Sequence, residues 1–311
     1  MQPIPMSLRM FLKSIAVTLA LFAGVGQIAT RAQQTRIAPA AQDVALAPQY
    51  NTTHVYVAPE NVDRFVSSFL GVFGGKSTKQ VVATVTPTPS STTSQLLQTP
   101  VGTVSLFGFK TPIPFPFGTE RNGLLVTDID AATALARDAG ADVLVAPFPD
   151  PIGRDVVIQF PGGVNTQLYW HFTAPSYTAF ETVPENRVYV SSLRVAAFLE
   201  SYLAFSKGRI VSDESAAAGI AIGRPADTFR RVRIESKFGK VTVFVTDGHL
   251  PYPWGHEMTG YEVADLAATL TRARANGVIV LVDAFKSEDR QSAIVQFPGG
   301  YIAEIHSILS H

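Results

Sequence analysis

Residues 114–123 read PFPFGTERNG, and residues 251–260 read PYPWGHEMTG. Sliding the sequence by 137 positions aligns these segments and extends without a gap over 102–163 and 239–300, both ending in QFPGG. The aligned stretch contains 23 identities in 62 positions, whereas random pairing at ordinary composition gives about four. An excess of this size predicts that the chain contains two copies of one unit.

The likeness continues upstream at an offset of 133, where residues 54–76 match residues 187–209. The four-residue difference falls in the Thr, Ser and Pro-rich segment around 87–93. These limits predict a first domain over residues 50–174 and a second over 184–309. The segment between them, 175–183, has no helical pattern and is bounded by prolines, which is typical of a short linker.

Each copy shows the same order of local patterns. In the first copy, apolar residues at helical spacing end at Gly74-Gly75 and are followed by short strand-like runs. The order then starts again with a strand near 124–126 and a helix over 131–139. The sequence therefore predicts an α+β protein built from βαβββ modules, two in each copy.

The N-terminal residues have the features of an export signal. Arg9 and Lys13 precede an apolar run over 15–26, and Thr30-Arg31-Ala32 follows it. The run is about half of the roughly 20 residues that span a bilayer, so it predicts a cleaved signal peptide over 1–32 and no permanent membrane anchor. The mature protein is then periplasmic or extracellular, and residues 33–49, rich in Ala, Gln and Pro, form a flexible lead-in.

Composition excludes several classes of function. Hydrophobic residues make up 46% of the chain and charged residues 16%, which indicates a globular protein rather than a disordered one. Lys and Arg total 25, as do Asp and Glu, so no net positive field favours nucleic acid as a partner. The chain has no cysteine, and it contains neither a Gly-x-Ser-x-Gly nor a His-Glu-x-x-His motif, so hydrolase chemistry has no support.

Three segments carry a resemblance to a known family: HVYV (54–57), VTDIDAATALARDAGADVLV (126–145) and FPGGVNTQLYWHF (160–172). With four modules in the same order, they resemble the vicinal-oxygen-chelate superfamily, which includes glyoxalase I, extradiol dioxygenases and bleomycin-binding proteins. The resemblance covers both copies. It implies an α+β fold of two tandem domains, each a pair of βαβββ modules curled around a cleft.

The resemblance also implies a divalent metal, commonly held by a His on the first strand of each module and a Glu on the closing strand. The first copy has His54, but Arg121 stands where the second His is expected and Gln167 stands in place of the Glu. The second copy has Arg187 in place of the opening His and retains Glu304. Each copy therefore has an incomplete ligand set, and the cofactor is unknown.

The best metal set that the chain offers is His256, Glu257 and Glu304, with the two carboxylates also the candidates for moving a proton. Other interpretations remain open. His54 is either a metal ligand or a hydrogen-bonded structural histidine. Glu257 and its counterpart Glu120 either face the cleft or bind the amides of a shared turn.

The closing strand of the first copy brings aromatic residues to the expected cleft. Tyr169 and Trp170 point to opposite faces of a strand, and each could stack on a flat ligand or pack in the core. Arg121, Gln167 and Arg187 complete the predicted ligand-binding set, in which Arg187 either anchors an anion or pairs with Glu304. The sequence thus predicts a protein that binds a small molecule and whose catalytic activity is degenerate. The alternative is a metal-dependent glyoxalase-type lyase or dioxygenase that holds its metal in the second copy.

Overall fold

The computed structural model describes residues 43–309. The predicted signal peptide over 1–32, and the lead-in as far as residue 42, lie outside the described residues. Within 43–309, no helix is both long enough and apolar enough to cross a membrane.

Residues 50–174, the first half, contain two helices and nine strands. Their bounds are β1 Thr52–Tyr56, α1 Val62–Phe73, β2 Lys76–Ser77, β3 Val81–Ala83, β4 Thr92–Thr99, β5 Gly102–Phe109, β6 Asn122–Leu125, α2 Ile129–Asp138, β7 Asp142–Asp150, β8 Gly153–Phe160 and β9 Val164–His171. The predicted strand and helix order is therefore present, with one strand of the first module divided into β2 and β3.

Residues 184–309, the second half, repeat this order. The bounds are β10 Glu185–Val190, α3 Val195–Ser206, β11 Arg209–Ala218, β12 Thr228–Ser236, β13 Gly239–Val245, β14 Met258–Glu262, α4 Leu266–Ala275, β15 Ile279–Ser287, β16 Arg290–Gln296 and β17 Ile302–Ile308. A 3-10 helix over Gly219–Ile222 lies between β11 and β12, in the segment where the second half has four residues more.

Each half forms one curved sheet, and the two strand orders correspond one to one. The first is β2-β4-β5-β1-β6-β9-β8-β7, with β3 also paired to β4, and the second is β11-β12-β13-β10-β14-β17-β16-β15. The register corresponds as well, since Gly123 pairs with Gln167 on β9 and Gly260 pairs with Glu304 on β17. The α+β architecture of paired βαβββ modules is thereby confirmed.

The second helix of each half begins at the same aspartate. Asp128 accepts hydrogen bonds from the backbone amides of Asp130 and Ala131, and Asp265 accepts one from Ala268. A side chain that binds free amides at a helix start fixes where the helix begins. Asp128, which lies in the segment 126–145 quoted for the family resemblance, therefore acts as an N-cap.

The apolar faces of the helices form two large cores, and each core contains residues of both halves. One combines α2 and β8 with α3 and β12, and the other combines α1 and β5 with α4 and β16. In the second core, the Phe69 ring lies 5.1 Å from that of Phe297 and 5.6 Å from that of Tyr261. The two halves thus share their hydrophobic interior, and residues 43–309 fall in one compact unit.

The end of the predicted lead-in is ordered, which corrects the expectation of flexibility for residues 43–49. Val44 is buried in the core that contains α2, and Ala45 forms a backbone bridge with Val126. A 3-10 helix follows over Pro48–Tyr50. Burial of Val44 supplies the apolar contact that composition alone does not reveal.

Candidate functional site

The first sheet has a cavity of about 350 Å³ on the face opposite its helices. Residues of β1 alternate, so Val55 points to the helices while His54 and Tyr56 line the cavity. Aromatic side chains from three strands and two loops form much of the wall: Tyr56, Phe107, Phe109, Phe117, Tyr169 and Tyr177. The cavity is large enough for a small organic molecule and has flat, apolar surfaces for it to contact.

His54 lies at the base of this cavity beside a buried carboxylate. Its Nδ1 is 3.7 Å from Oε1 of Glu120, too far for a hydrogen bond, and within residues 43–309 that nitrogen has no hydrogen-bond partner. Glu120 instead accepts a hydrogen bond from the Tyr56 hydroxyl. Burial, and then the Glu120 charge, raise the pKa of Tyr56, so this hydroxyl keeps its proton and remains a donor.

A second polar pair lines the cavity on β8 and β9. The side-chain amide of Gln167 donates to Oδ2 of Asp155 over 2.8 Å. Burial, followed by the nearby Asp150, raises the pKa of Asp155 well above its ordinary value despite that hydrogen bond. Asp155 is therefore suited to hold a proton and donate it to a ligand oxygen. Sequence analysis missed Asp155, although its position opposite the closing strand was a usable signal.

The aromatic end of β9 divides between two environments. Tyr169 and His171 line the cavity, and the Tyr169 hydroxyl donates to the backbone carbonyl of Tyr50. Trp170 packs against the core that contains α2, while Phe172 is exposed. Of the two alternatives for Trp170, its ring takes core packing and does not line this cavity, because the strand's alternation turns it to the other face.

The residues at the family's metal positions do not form a ligand set in the first half. His54 is present and Gln167 is engaged with Asp155, but Arg121, at the position of the second expected His, is not on the cavity wall. On the neighbouring strand, Gly123 lies nearest to His54, and a Cβ there would lie 2.4 Å from Nε2 of His54 and 2.7 Å from the Tyr169 ring. Gly123 supplies no ligand, and a side chain in its place would have to displace His54 and Tyr169.

The same face of the second sheet is lined mostly by charged and polar side chains. Glu304 is fully buried, its Oε2 lies 2.7 Å from Nδ1 of His306, and its Oε1 lies 3.7 Å from Nη1 of Arg187. Burial would raise the pKa of Glu304, but His306 and then Arg187 outweigh it and lower that pKa strongly. Glu304 is therefore an ionised member of a buried network. Of the two alternatives predicted for Arg187, the structure has the pairing with Glu304.

The remaining predicted residues lie apart from this network. His256 is exposed, whereas Glu257 accepts a hydrogen bond of 2.8 Å from the Asn122 side chain of the first half. Burial raises the pKa of Glu257 to about 8, although Arg121 and Asn122 lower it. The Arg121 guanidinium lies 6.0 Å from the Tyr56 ring centre and is not on the cavity wall.

No three His, Asp or Glu side chains within residues 43–309 are grouped as a metal ion requires. The predicted set of His256, Glu257 and Glu304 is therefore not assembled. Two physical reasons separate it: His256 is on the outside of its loop, and Glu304 is held by Arg187 and His306. The paired carboxylates Glu120 and Glu257 accept from side chains, rather than from the turn amides considered from the sequence.

Comparison with family models and with curated proteins gave no match for this chain. Solved structures do resemble it. A mutant of 4-hydroxymandelate synthase from Streptomyces coelicolor is 16% identical with a TM-score of 0.58, over 86% of this chain and 93% of that one. The Mn(II)-bound glyoxalase from Novosphingobium aromaticivorans is 10% identical with a TM-score of 0.52, over 86% and 83%.

A third similar structure is the 2,3-dioxygenase LapB from Pseudomonas sp. KL28, at 13% identity and a TM-score of 0.51, over 86% of this chain and 94% of that one. These three neighbours belong to the same superfamily. At such low identity the likeness concerns the arrangement of the chain and not its chemistry. The chain has the vicinal-oxygen-chelate fold.

Proposed function

We propose that this chain is an exported binding protein of the vicinal-oxygen-chelate type, derived by tandem duplication, that takes a small organic molecule into the cavity of its first half. The observation that carries the proposal is a contrast between equivalent faces. The first sheet encloses about 350 Å³ lined largely by aromatic rings, while the matching face of the second sheet has a cavity of about 320 Å³ with mostly charged and polar walls and an arginine-lined one of about 10 Å³. Catalysis of the metal-dependent kind is degenerate in this proposal.

The cavity wall favours a flat, mostly apolar ligand with at least one oxygen group. Tyr56 and Phe107, whose rings stack with centres 5.2 Å apart, offer an aromatic surface on one side. Asp155, with its raised pKa, can donate a hydrogen bond, and Thr52 has a buried hydroxyl without a partner among the described residues. Buried polar atoms of this kind are expected to bind a partner, and a ligand oxygen would supply one.

The metal-dependent alternative has less support. It needs Glu304 as a ligand, but withdrawing Glu304 would leave Arg187 and His306 buried without their shared counter-charge. Such a loss costs about 3–5 kcal/mol. One structural neighbour is a manganese-bound glyoxalase, so metal analysis of the purified protein tests this alternative. Stoichiometric metal that is lost in Glu304→Ala would support it.

Filling the cavity tests the binding proposal. We expect ligand-detected NMR with a panel of small phenols and aromatic carboxylic acids to find binders of the mature chain. Ser105, half-buried on β5 beside His54 and on the cavity wall, offers a position for obstruction. Ser105→Trp should abolish binding because the indole occupies the space, with at least a tenfold loss of affinity, about 1.4 kcal/mol.

The matched control is Phe172→Ala, which removes an exposed aromatic ring at the end of β9 without altering the cavity wall. It should leave binding unchanged. Equal binding by Ser105→Trp and the unmodified protein, with both folded by circular dichroism, would place the ligand elsewhere. A panel without any binder to the unmodified protein would count against the proposed ligand class.

Export is tested by expressing the full chain in a bacterium and fractionating the cells. We expect the protein outside the cytoplasm with a new N-terminus near Gln33, read by mass spectrometry of the intact chain. The apolar run over 15–26 with its preceding Arg9 and Lys13 is the physical basis. Replacing two apolar residues of that run by aspartate should retain the precursor in the cytoplasm, and an uncleaved chain there without that change would refute export.

A further inference from the structure

The second sheet contains a small cavity whose wall is rich in arginine. It measures about 10 Å³, room for a single water-sized occupant. Four arginines line it, together with one glutamate and two serines: Arg187, Arg231, Arg233, Arg290, Glu185, Ser287 and Ser292. The charged residues on the wall itself have a net charge of +3, and the carboxylates of Glu214, Glu288, Asp289 and Glu304 pair with these arginines from around it.

The carboxylates around this cavity contact the terminal Nη atoms of the arginines. Arg231 donates through Nη2 to Glu214 and Glu288, and Arg290 donates through Nη1 to Glu185 over 3.2 Å. Arg187 faces Glu304 through Nη1 at 3.7 Å. In each of these pairs the carboxylate meets a terminal nitrogen, which leaves the Nε–H groups free for another acceptor.

Those Nε atoms are buried and unsatisfied. Within residues 43–309, Nε of each of the four arginines has no hydrogen-bond partner, and neither does Oγ of Ser287. Two of them have a distant carboxylate, since Arg187 Nε lies 3.7 Å from Glu185 and Arg290 Nε lies 3.7 Å from Asp289. Buried N–H groups without acceptors are rare and costly in native proteins.

The unsatisfied donors on the wall favour an anion over a water molecule, for which Glu185 and the hydroxyl groups are the acceptors present. A water molecule has two protons that need acceptors, whereas four of the five unsatisfied atoms are N–H donors that cannot accept. The fifth is a hydroxyl, which can donate. Cations also crowd one another here: burial, then Arg233, and also Arg290, lower the pKa of Arg231. An occupant with negative charge would relieve that repulsion.

We propose that this cavity is a halide site, which would hold chloride under physiological conditions. A single-atom anion fits the volume, and a carboxylate or phosphate does not. The family resemblance implies a metal cation on this face of the fold, whereas this site would bind an anion through guanidinium groups. It is independent of the proposed ligand cavity in the first half, so either proposal can fail alone.

The first test is crystallographic. Crystals of the mature chain grown without chloride and soaked in sodium bromide should give an anomalous bromide peak in contact with the Nε atoms of Arg231 and Arg187. A peak elsewhere only, or a water molecule without anomalous signal in the cavity, would overturn the proposal. This measurement does not depend on any variant folding.

The second test is thermal unfolding at constant ionic strength, with sodium chloride replacing sodium gluconate. Because the halide binds the folded chain, chloride should raise Tm in a concentration-dependent way. Ser287→Ala, which removes one donor worth about 1 kcal/mol, should weaken the chloride response about fivefold. Arg231→Gln should weaken it further.

The matched control is Arg230→Gln, because Arg230 neighbours Arg231 on β12 but is exposed and paired with Asp213. It should keep the full chloride response. Equal Tm values in chloride and gluconate would overturn the proposal, as would the same loss of response in Arg230→Gln and Ser287→Ala. A bromide peak without any effect of chloride on Tm would indicate an adventitious ion only, which also contradicts it.

Discussion

Phe69→Ala is expected to destabilise both halves of the protein together, by about 3–5 kcal/mol. Phe69 is fully buried on α1 of the first half, and its ring packs against Tyr261 and Phe297 of the second half. Removing it leaves a cavity in a core that both sheets share. In a unit of this size the loss should lower Tm by about 10 °C.

The chain contains two tryptophans, one in each half, which allow the halves to be followed separately. Trp170→Phe leaves Trp254 as the reporter of the second half, and Trp254→Phe leaves Trp170 as that of the first. We expect Phe69→Ala to shift the fluorescence transition equally in both backgrounds. A shift seen by Trp170 alone would mean that the halves unfold independently. Phe172→Ala, at an exposed ring, should change stability by less than about 0.5 kcal/mol.

Glu304→Ala is expected to cost about 3–5 kcal/mol, because it leaves Arg187 and His306 buried without their carboxylate. Gln167→Ala provides the matched control, since Gln167 occupies the equivalent position of the first sheet and loses a single hydrogen bond to Asp155. That change should cost about 1–2 kcal/mol. Chemical denaturation at neutral pH measures both. Equal losses would contradict a special role for the charged network.

The contribution of Glu304 should also depend on pH. Its pKa in the folded chain is lowered well below the unfolded value near 4.5, so the folded state binds the proton less readily. The resulting stabilisation is fully present above about pH 4.5 and is lost as the pH falls towards the lowered pKa. The difference in stability between the unmodified chain and Glu304→Gln should therefore narrow in acid, while a difference that is constant from pH 7 to pH 3 would contradict this account.

Much of the architecture could be predicted because it depends on local patterns. The apolar spacing of α1 and the N-cap at Asp128 depend only on residues close together in the chain. Because residues 102–163 resemble 239–300, the strands and helices predicted for one half are also predicted for the other. Strand alternation also predicted that Tyr169 and Trp170 point to opposite faces of the sheet. It left open which of them faces the cavity, because alternation alone does not say which face is covered by helices.

The candidate site depended on long-range contacts, and there the sequence was insufficient. It predicted two copies of one unit, the βαβββ order and an incomplete set of metal ligands, since these follow from residue identity and spacing. Only the tertiary structure decided that Glu304 pairs with Arg187 and His306, that Glu257 accepts from Asn122 of the other half, and that Asp155 joins the cavity. Charge pairing and burial are set by residues far apart in the chain, so equivalent positions in the two halves form an aromatic-lined cavity in one and a wall of paired charges in the other.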